Sequence, residues 1–218
     1  MGYLSTMLSQ DEMTEVFTRL RAARPEIQPP EAKGGRTAFR SVVSCMLSAQ
    51  SLDRNTAAAS RALFALAQTP EGILALSDDQ ITTAIRPAGL YNVKARNLRK
   101  MCRALLDDHG GAVPRDRRGL MSLPGVGRKC ADIVLHFTFG QPVVAVDTHV
   151  HRVCNRVGLA EGKTEAQTAA SLDARMPDAF RMEAHLLLLD HGKRVCRARV
   201  PRCGDCLLAD LCQVAPMA

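Results

Sequence analysis

The 218-residue chain contains no tryptophan, only two tyrosines and six phenylalanines. So few aromatic faces leave little on which successive unpaired bases could stack, which argues against a binder of single-stranded nucleic acid. No apolar run approaches the roughly 20 residues of a membrane-spanning helix, and the amino terminus has no charged segment leading into an apolar one with a cleavage site. Strand-type alternation is missing too, because Val143 to Val146 is short and isolated, and the fold class expected is all-α. Acidic residues number 22 against 29 Lys and Arg, giving a formal charge of +7 that suits a polyanionic partner held through salt-sensitive phosphate contacts. With 46% hydrophobic residues the chain is not disordered. It is expected to be a soluble, cytoplasmic monomer with no membrane partner. The myristoylation-like start Met1-Gly2-Tyr3-Leu4-Ser5-Thr6 has no basic patch or second anchor beside it and is read as chance.

Eight cysteines do not make a disulfide framework here. Cys45, Cys102, Cys130 and Cys154 are scattered through helical patterns, where free cysteine packs as a small hydrophobe. Cys196, Cys203, Cys206 and Cys212 crowd into the last stretch with spacing Cys-x6-Cys-x2-Cys-x5-Cys. Four thiolates, brought together by turns at Pro201 and Gly204, are a complete set for one Zn²⁺ or one iron–sulfur cluster, and residue chemistry leaves both open. Five basic residues, Lys193, Arg194, Arg197, Arg199 and Arg202, surround the first of these cysteines with no acidic residue among them.

The stretch Leu123-Pro124-Gly125-Val126-Gly127-Arg128-Lys129 has helix-type residues on both sides and must reverse the chain between two helices. Pro124 fixes φ, while Gly125 and Gly127 are free to take φ > 0 and leave backbone amides uncovered at the start of the second helix. Such a site favours a phosphate. Lys129 falls in that helix's first turn, where a cation is electrostatically disfavoured, which makes it a candidate nucleophile as well as a candidate phosphate contact. Eighteen residues on, Asp147 follows an apolar extended run and reads as the N-cap of a helix from Thr148 to Val157. A carboxylate there is a fixed negative charge that could face a developing sugar cation or help move a proton.

Elsewhere the helices announce themselves locally. Ser9 with Glu12 and Ser77 with Gln80 read as capping boxes, Thr69-Pro70 starts a short helix, and Asp53 caps one from Ala57 to Ala67. A connector with Pro25, Pro29, Pro30, Gly34 and Gly35 marks a domain crossing. Gly89-Leu90 breaks the pattern before a helix that ends near His109-Gly110.

Leu123 to Lys129, then Ala145-Val146-Asp147-Thr148-His149, then the four-cysteine spacing occur in one order and together resemble the endonuclease III family of helix-hairpin-helix DNA glycosylases. The resemblance covers nearly the whole chain. It implies two helical domains flanking a DNA-binding groove: a six-helix domain of residues 31–141 with the helix-hairpin-helix, and a domain of residues 1–30 plus 142–218 carrying a 4Fe–4S cluster on Cys196, Cys203, Cys206 and Cys212. The partner implied is double-stranded DNA with an oxidised pyrimidine or an abasic site, and the location cytoplasmic and nucleoid-associated. The activity implied is a bifunctional DNA N-glycosylase and AP lyase, with Lys129 the nucleophile and Asp147 its acidic partner. Gly125, Val126, Gly127, Arg194, Arg197 and Arg199 would hold phosphates, Gln50 would fill the gap left by a flipped nucleotide, and Leu90 would wedge into the duplex. Val93 stands where the family leads one to expect a polar residue, which leaves that loop's contacts open. A monofunctional mismatch glycosylase fits less well because such relatives typically lack a lysine at position 129. Lys129 and Asp147 together argue against a non-catalytic DNA-binding or redox-sensing protein, since binding alone does not call for a carboxylate at the hairpin's mouth.

Overall fold

The computed structural model describes residues 7–31 and 38–214, which contain eleven α-helices and no strand, so the all-α expectation holds. The amino-terminal hexapeptide and Gly34-Gly35 of the connector lie outside the described residues. No described helix is long and apolar enough to cross a membrane. The chain divides into two compact units, one of Glu31–Gly140 and one of Met1–Pro30 with Gln141–Ala218.

The first unit holds α2 (Ala38–Ser48), α3 (Asp53–Leu66), α4 (Pro70–Ala75), α5 (Asp78–Ile85), α6 (Tyr91–His109), α7 (Arg117–Ser122) and α8 (Arg128–Phe137), with a 3-10 turn at Arg86–Ala88. These are seven described helices against the six expected. Two of them have only six residues, and each is begun by its own cap: Thr69 Oγ1 accepts from the Gly72 amide (3.1 Å) and Asp116 Oδ1 from the Gly119 amide (2.8 Å). The Ser77–Gln80 capping box forms as expected. The helix expected to start at Ala57 instead starts at Asp53, with Leu52 as an N-cap that makes no side-chain bond. Asp53 thus acts through its charge in the first turn, where the helix dipole favours an anion. Val42, Val43, Leu47, Leu63, Ile81, Leu98 and Met101 are fully buried between helices whose apolar faces recur every three or four residues. Around this core α2 packs on α3 and α8, and α4 and α5 pack on α6.

The second unit holds α1 (Gln10–Ala23), α9 (Thr148–Val157), α10 (Glu165–Arg175) and α11 (Ala184–Arg194). Its α1 begins at the Ser9–Glu12 capping box, with Met13, Val16, Phe17 and Leu20 buried on one face. The extended run before Asp147 buries Val144, Ala145 and Val146, and His185 Nδ1 bonds the Ala145 carbonyl at 2.8 Å. That anchoring fixes where α9 starts. α9 packs against α11 and α10, and α1 against α11.

Candidate functional site

Leu120 and Leu123 are buried and anchor the turn that joins α7 to α8. Gly125 sits at φ +84, and a Cβ there would lie 3.0 Å from Met46 Cγ and 3.2 Å from Asn97 Cβ, so both conformation and space call for glycine. Gly127 departs from expectation, since its φ is −90° and any residue could adopt it. A Cβ on Gly127 would meet nothing within 4 Å. The surface in front of Gly127 is therefore open, as close approach by an outside group requires. Val126 also departs from its expected phosphate contact. Its side chain is buried and its amide donates to the Leu123 carbonyl at 3.0 Å, which makes it a strut inside the turn.

No side chain caps α8. The amides of its first turn, from Arg128 to Cys130, consequently lack an intrahelical acceptor and face outward with the positive end of the dipole. Lys129, exposed on that turn, lines a cleft of about 360 Å³ with Ser44, Cys45, Ser48, Ile133 and Phe137. The Cys45 thiol is held below its ordinary value chiefly by its hydrogen bond with Cys130, and further by the positive charge of Lys129 against the opposing effect of burial. The same bond and burial push Cys130 up.

Asp147 is the N-cap of α9, as expected. Its Oδ1 accepts from both the His149 amide (2.9 Å) and the Val150 amide (2.8 Å), which fixes the carboxylate's orientation. Oδ2 has no protein partner among the described residues. Gln50 and Leu90 are exposed and are the two non-glycine residues with positive φ among those described, at 52° and 48°. Leu90 is 57% exposed. A left-handed leucine that leaves more than half its surface in water is costly on both counts, by about 1–3 kcal/mol for the backbone, and such strain gathers at functional positions.

The four carboxy-terminal cysteines come together. Cys196, Cys203, Cys206 and Cys212 line one cavity of about 210 Å³ with Arg156, His191 and Arg202. Burial pushes the Cys206 thiol up, with further contributions from Cys212, Cys196 and Cys203. Arg156 lies 3.6 Å from Cys196 Sγ and donates to the carbonyls of Arg197 (2.8 Å) and Ala198 (2.9 Å), while Arg152 donates to that of Cys196 (2.9 Å). These bonds pin the basic loop by its backbone. Its side chains at Arg194, Arg197 and Arg199 stay exposed.

Two charged residues that sequence reading passed over hold this region. Asp132 on α8 is fully buried and takes Arg117 of α7 at 2.7 Å and Arg128 at 3.5 Å, locking the two helices of the hairpin together. Asp132→Ala is expected to destabilise the protein by about 1.5–3 kcal/mol, because it removes the charge-assisted bond that ties Arg117 of α7 to α8, and a denaturant melt measures it. A shift below about 1 kcal/mol would show that the pair contributes little. The second is Lys94, 5% exposed, whose Nζ donates to the carbonyls of Leu47 and Ala88, each at 2.8 Å.

What the hairpin presents is an anion site with an amine beside it, and the class that combines the two on an all-helical frame is the helix-hairpin-helix DNA repair protein. Residues 43–177 match the model of the HhH-GPD superfamily base excision DNA repair proteins, and the chain belongs to that family. It is 42% identical to the endonuclease III of Escherichia coli strain K12 over 206 residues, spanning 94% of this chain and 97% of that one. It is 40% identical to the endonuclease III of Haemophilus influenzae over the same length and coverage. A solved structure of a trapped endonuclease III–DNA covalent intermediate aligns with TM-score 0.83 and 33% identity, covering 94% of this chain and 96% of that one.

Proposed function

We propose that this protein is a bifunctional DNA N-glycosylase and AP lyase that removes oxidised pyrimidines from duplex DNA in base excision repair. The observation that carries the reading is the uncapped start of α8 at a bare glycine turn, with Lys129 on its first turn and beside a cleft. Exposed amides at Gly125, Gly127 and the first turn of α8 hold a phosphate of the damaged strand. With the backbone fixed, the damaged nucleotide is turned out of the stack, a step that costs least for a poorly stacked base. Gln50 fills the space it leaves and Leu90 wedges the neighbouring step.

The Lys129 amine attacks C1′, the N–C1′ bond forms, and the base departs with the glycosidic bond electrons and a proton. Loss of the amine's proton and opening of the sugar ring give the Schiff base, which acidifies the 2′ hydrogens. Removal of one of them expels the 3′ phosphate by β-elimination. Asp147, whose carboxylate two backbone amides orient through Oδ1, takes the role of countering the developing positive charge and assisting the proton transfers.

Cys196, Cys203, Cys206 and Cys212, which line one cavity, would hold a 4Fe–4S cluster: four thiolates complete its ligand set, and the Arg156 guanidinium beside Cys196 would offset their charge. Bound there, such a cluster would cross-link the tail through the four cysteines. Arg194, Arg197 and Arg199 then track the DNA backbone. The protein acts as a cytoplasmic, nucleoid-associated monomer.

Two experiments test this reading. A duplex with a single thymine glycol should release the base and be cut at that site, while undamaged duplex is left intact; failure to cut any oxidised pyrimidine would overturn the assignment. Gly127→Ala should leave the melting curve within about 0.5 kcal/mol of wild type, because no protein atom meets the new methyl, yet weaken duplex binding about tenfold. Unchanged affinity would remove the hairpin from the phosphate contact.

A further inference from the structure

We infer that Lys94 is a positioning residue: by clamping the end of α2 to the 3-10 turn before α6, it fixes the two residues that enter the duplex. The inference rests on the proposed roles of Gln50 and Leu90. Lys94 Nζ donates to Leu47 O at the carboxy-terminal end of α2 and to Ala88 O at the end of the turn, both at 2.8 Å. Gln50 follows Leu47 by three residues, and Leu90 follows Ala88 by two. Among the described residues no other side-chain hydrogen bond joins the two segments. A single buried cation therefore connects the two short stretches of backbone that turn left-handed, at 52° and 48°.

The chemistry explains why a lysine serves. The last carbonyls of a helix have no intrahelical donor, and the negative end of the dipole lies there, so a cation at that place satisfies an orphan acceptor and complements the field. The 3-10 turn supplies a second acceptor of the same kind. Three tetrahedral N–H donors reach two carbonyls from different segments, which a planar or neutral side chain does less well. Leu47 and Ala88 are themselves buried, so neither carbonyl has easy recourse to water. Burial pushes the Lys94 ammonium below its ordinary value, a cost that packing alone would avoid by placing an apolar residue there. The backbone amide of Lys94 also donates to the Leu90 carbonyl at 3.0 Å, so the clamp and the wedge share the first turn of α6.

Lys94 touches neither substrate nor the reacting atoms, and its effect is confined to substrates that require insertion into a stacked duplex. The test compares wild type, Lys94→Met, Leu90→Ala and Gln50→Ala on two substrates. One is a duplex with one thymine glycol, and the other is a single-stranded oligonucleotide with one abasic site, which needs no extrusion. Fluorescence of 2-aminopurine beside an abasic-site analogue in duplex reports insertion directly. Lys94→Met is expected to lose activity on the duplex by on the order of 10- to 100-fold, with a weaker fluorescence rise, while cutting the single-stranded abasic site within about twofold of wild type. The Leu90 and Gln50 variants should show the same split. If Lys94→Met does not accumulate as folded protein, Lys94→Gln, which keeps an amide donor, should show a smaller loss with the same pattern. Equal loss on both substrates would make Lys94 a structural residue only, and no loss on the duplex would also overturn the inference. If Leu90→Ala and Gln50→Ala keep full duplex activity, the insertion reading itself fails, whatever Lys94 does.

Discussion

Lys129→Gln is expected to abolish strand cleavage at thymine glycol and at abasic sites, by on the order of a thousandfold or more, while duplex binding weakens less than about tenfold. The asymmetry follows from the position of the side chain. Lys129 is exposed on the first turn of α8, and among the described residues no hydrogen bond or ion pair holds the hairpin through it, so its replacement leaves the turn intact. In the proposed complex the phosphate is held by backbone amides that the substitution does not touch. A glutamine amide, however, is not a nucleophile at nitrogen, so it can neither displace the base from C1′ nor give the Schiff base that β-elimination needs. Single-turnover cleavage together with a filter-binding titration separates the two effects. Equal losses in binding and cleavage would show that Lys129 acts as a phosphate contact and not as the nucleophile.

Removal of the proposed 4Fe–4S cluster is expected to produce the second large effect, and on binding more than on chemistry. Leu207, Leu208, Leu211, Cys206 and Cys212 pack against the core of the second unit, so the tail has some apolar anchorage of its own. That anchorage does not close the loop from Cys196 to Cys203, which carries exposed Arg197 and Arg199 with Arg194 just before it. Oxidation and chelation of the purified holoprotein, or Cys203→Ser, should bleach the visible absorption and release this loop. If the three arginines neutralise phosphates, the slope of log affinity against log salt should become shallower by about 2–3, at about 0.9 for each phosphate left unneutralised. A tail that kept its protease resistance, and a salt slope that did not change, would show that the basic loop is organised without the metal.

Much of the fold and site was legible in the sequence wherever the physics is local. Ser9 with Glu12, Ser77 with Gln80, Thr69 and Asp147 form the caps their spacing implies, because an N-cap bond spans only two or three residues. The cysteine spacing and the Leu123 to Lys129 stretch carried the metal and phosphate readings for the same reason. What escaped is tertiary. Asp132 reads as a polar residue on an otherwise apolar helix face until Arg117, fifteen positions earlier, is folded back on it. Lys94 reads as a surface lysine of α6 until two carbonyls, one of them 47 residues away, close around it. Backbone conformation was the expected reason for glycine at position 127, and the structure shows an ordinary φ with empty space in front of it. Nor does any propensity announce that Gln50 and Leu90 turn left-handed, since the surrounding helices impose that conformation.

Central to the proposed chemistry is a covalent bond between Lys129 and the sugar. Wild-type protein incubated with thymine-glycol duplex in borohydride, digested with protease and nuclease, and mapped by tandem mass spectrometry locates the reduced adduct. The adduct is expected on the Lys129 side chain and on no other amine. Its appearance at Lys94, Lys163, Lys193 or the α-amino group, with Lys129 unmodified, would contradict the mechanism.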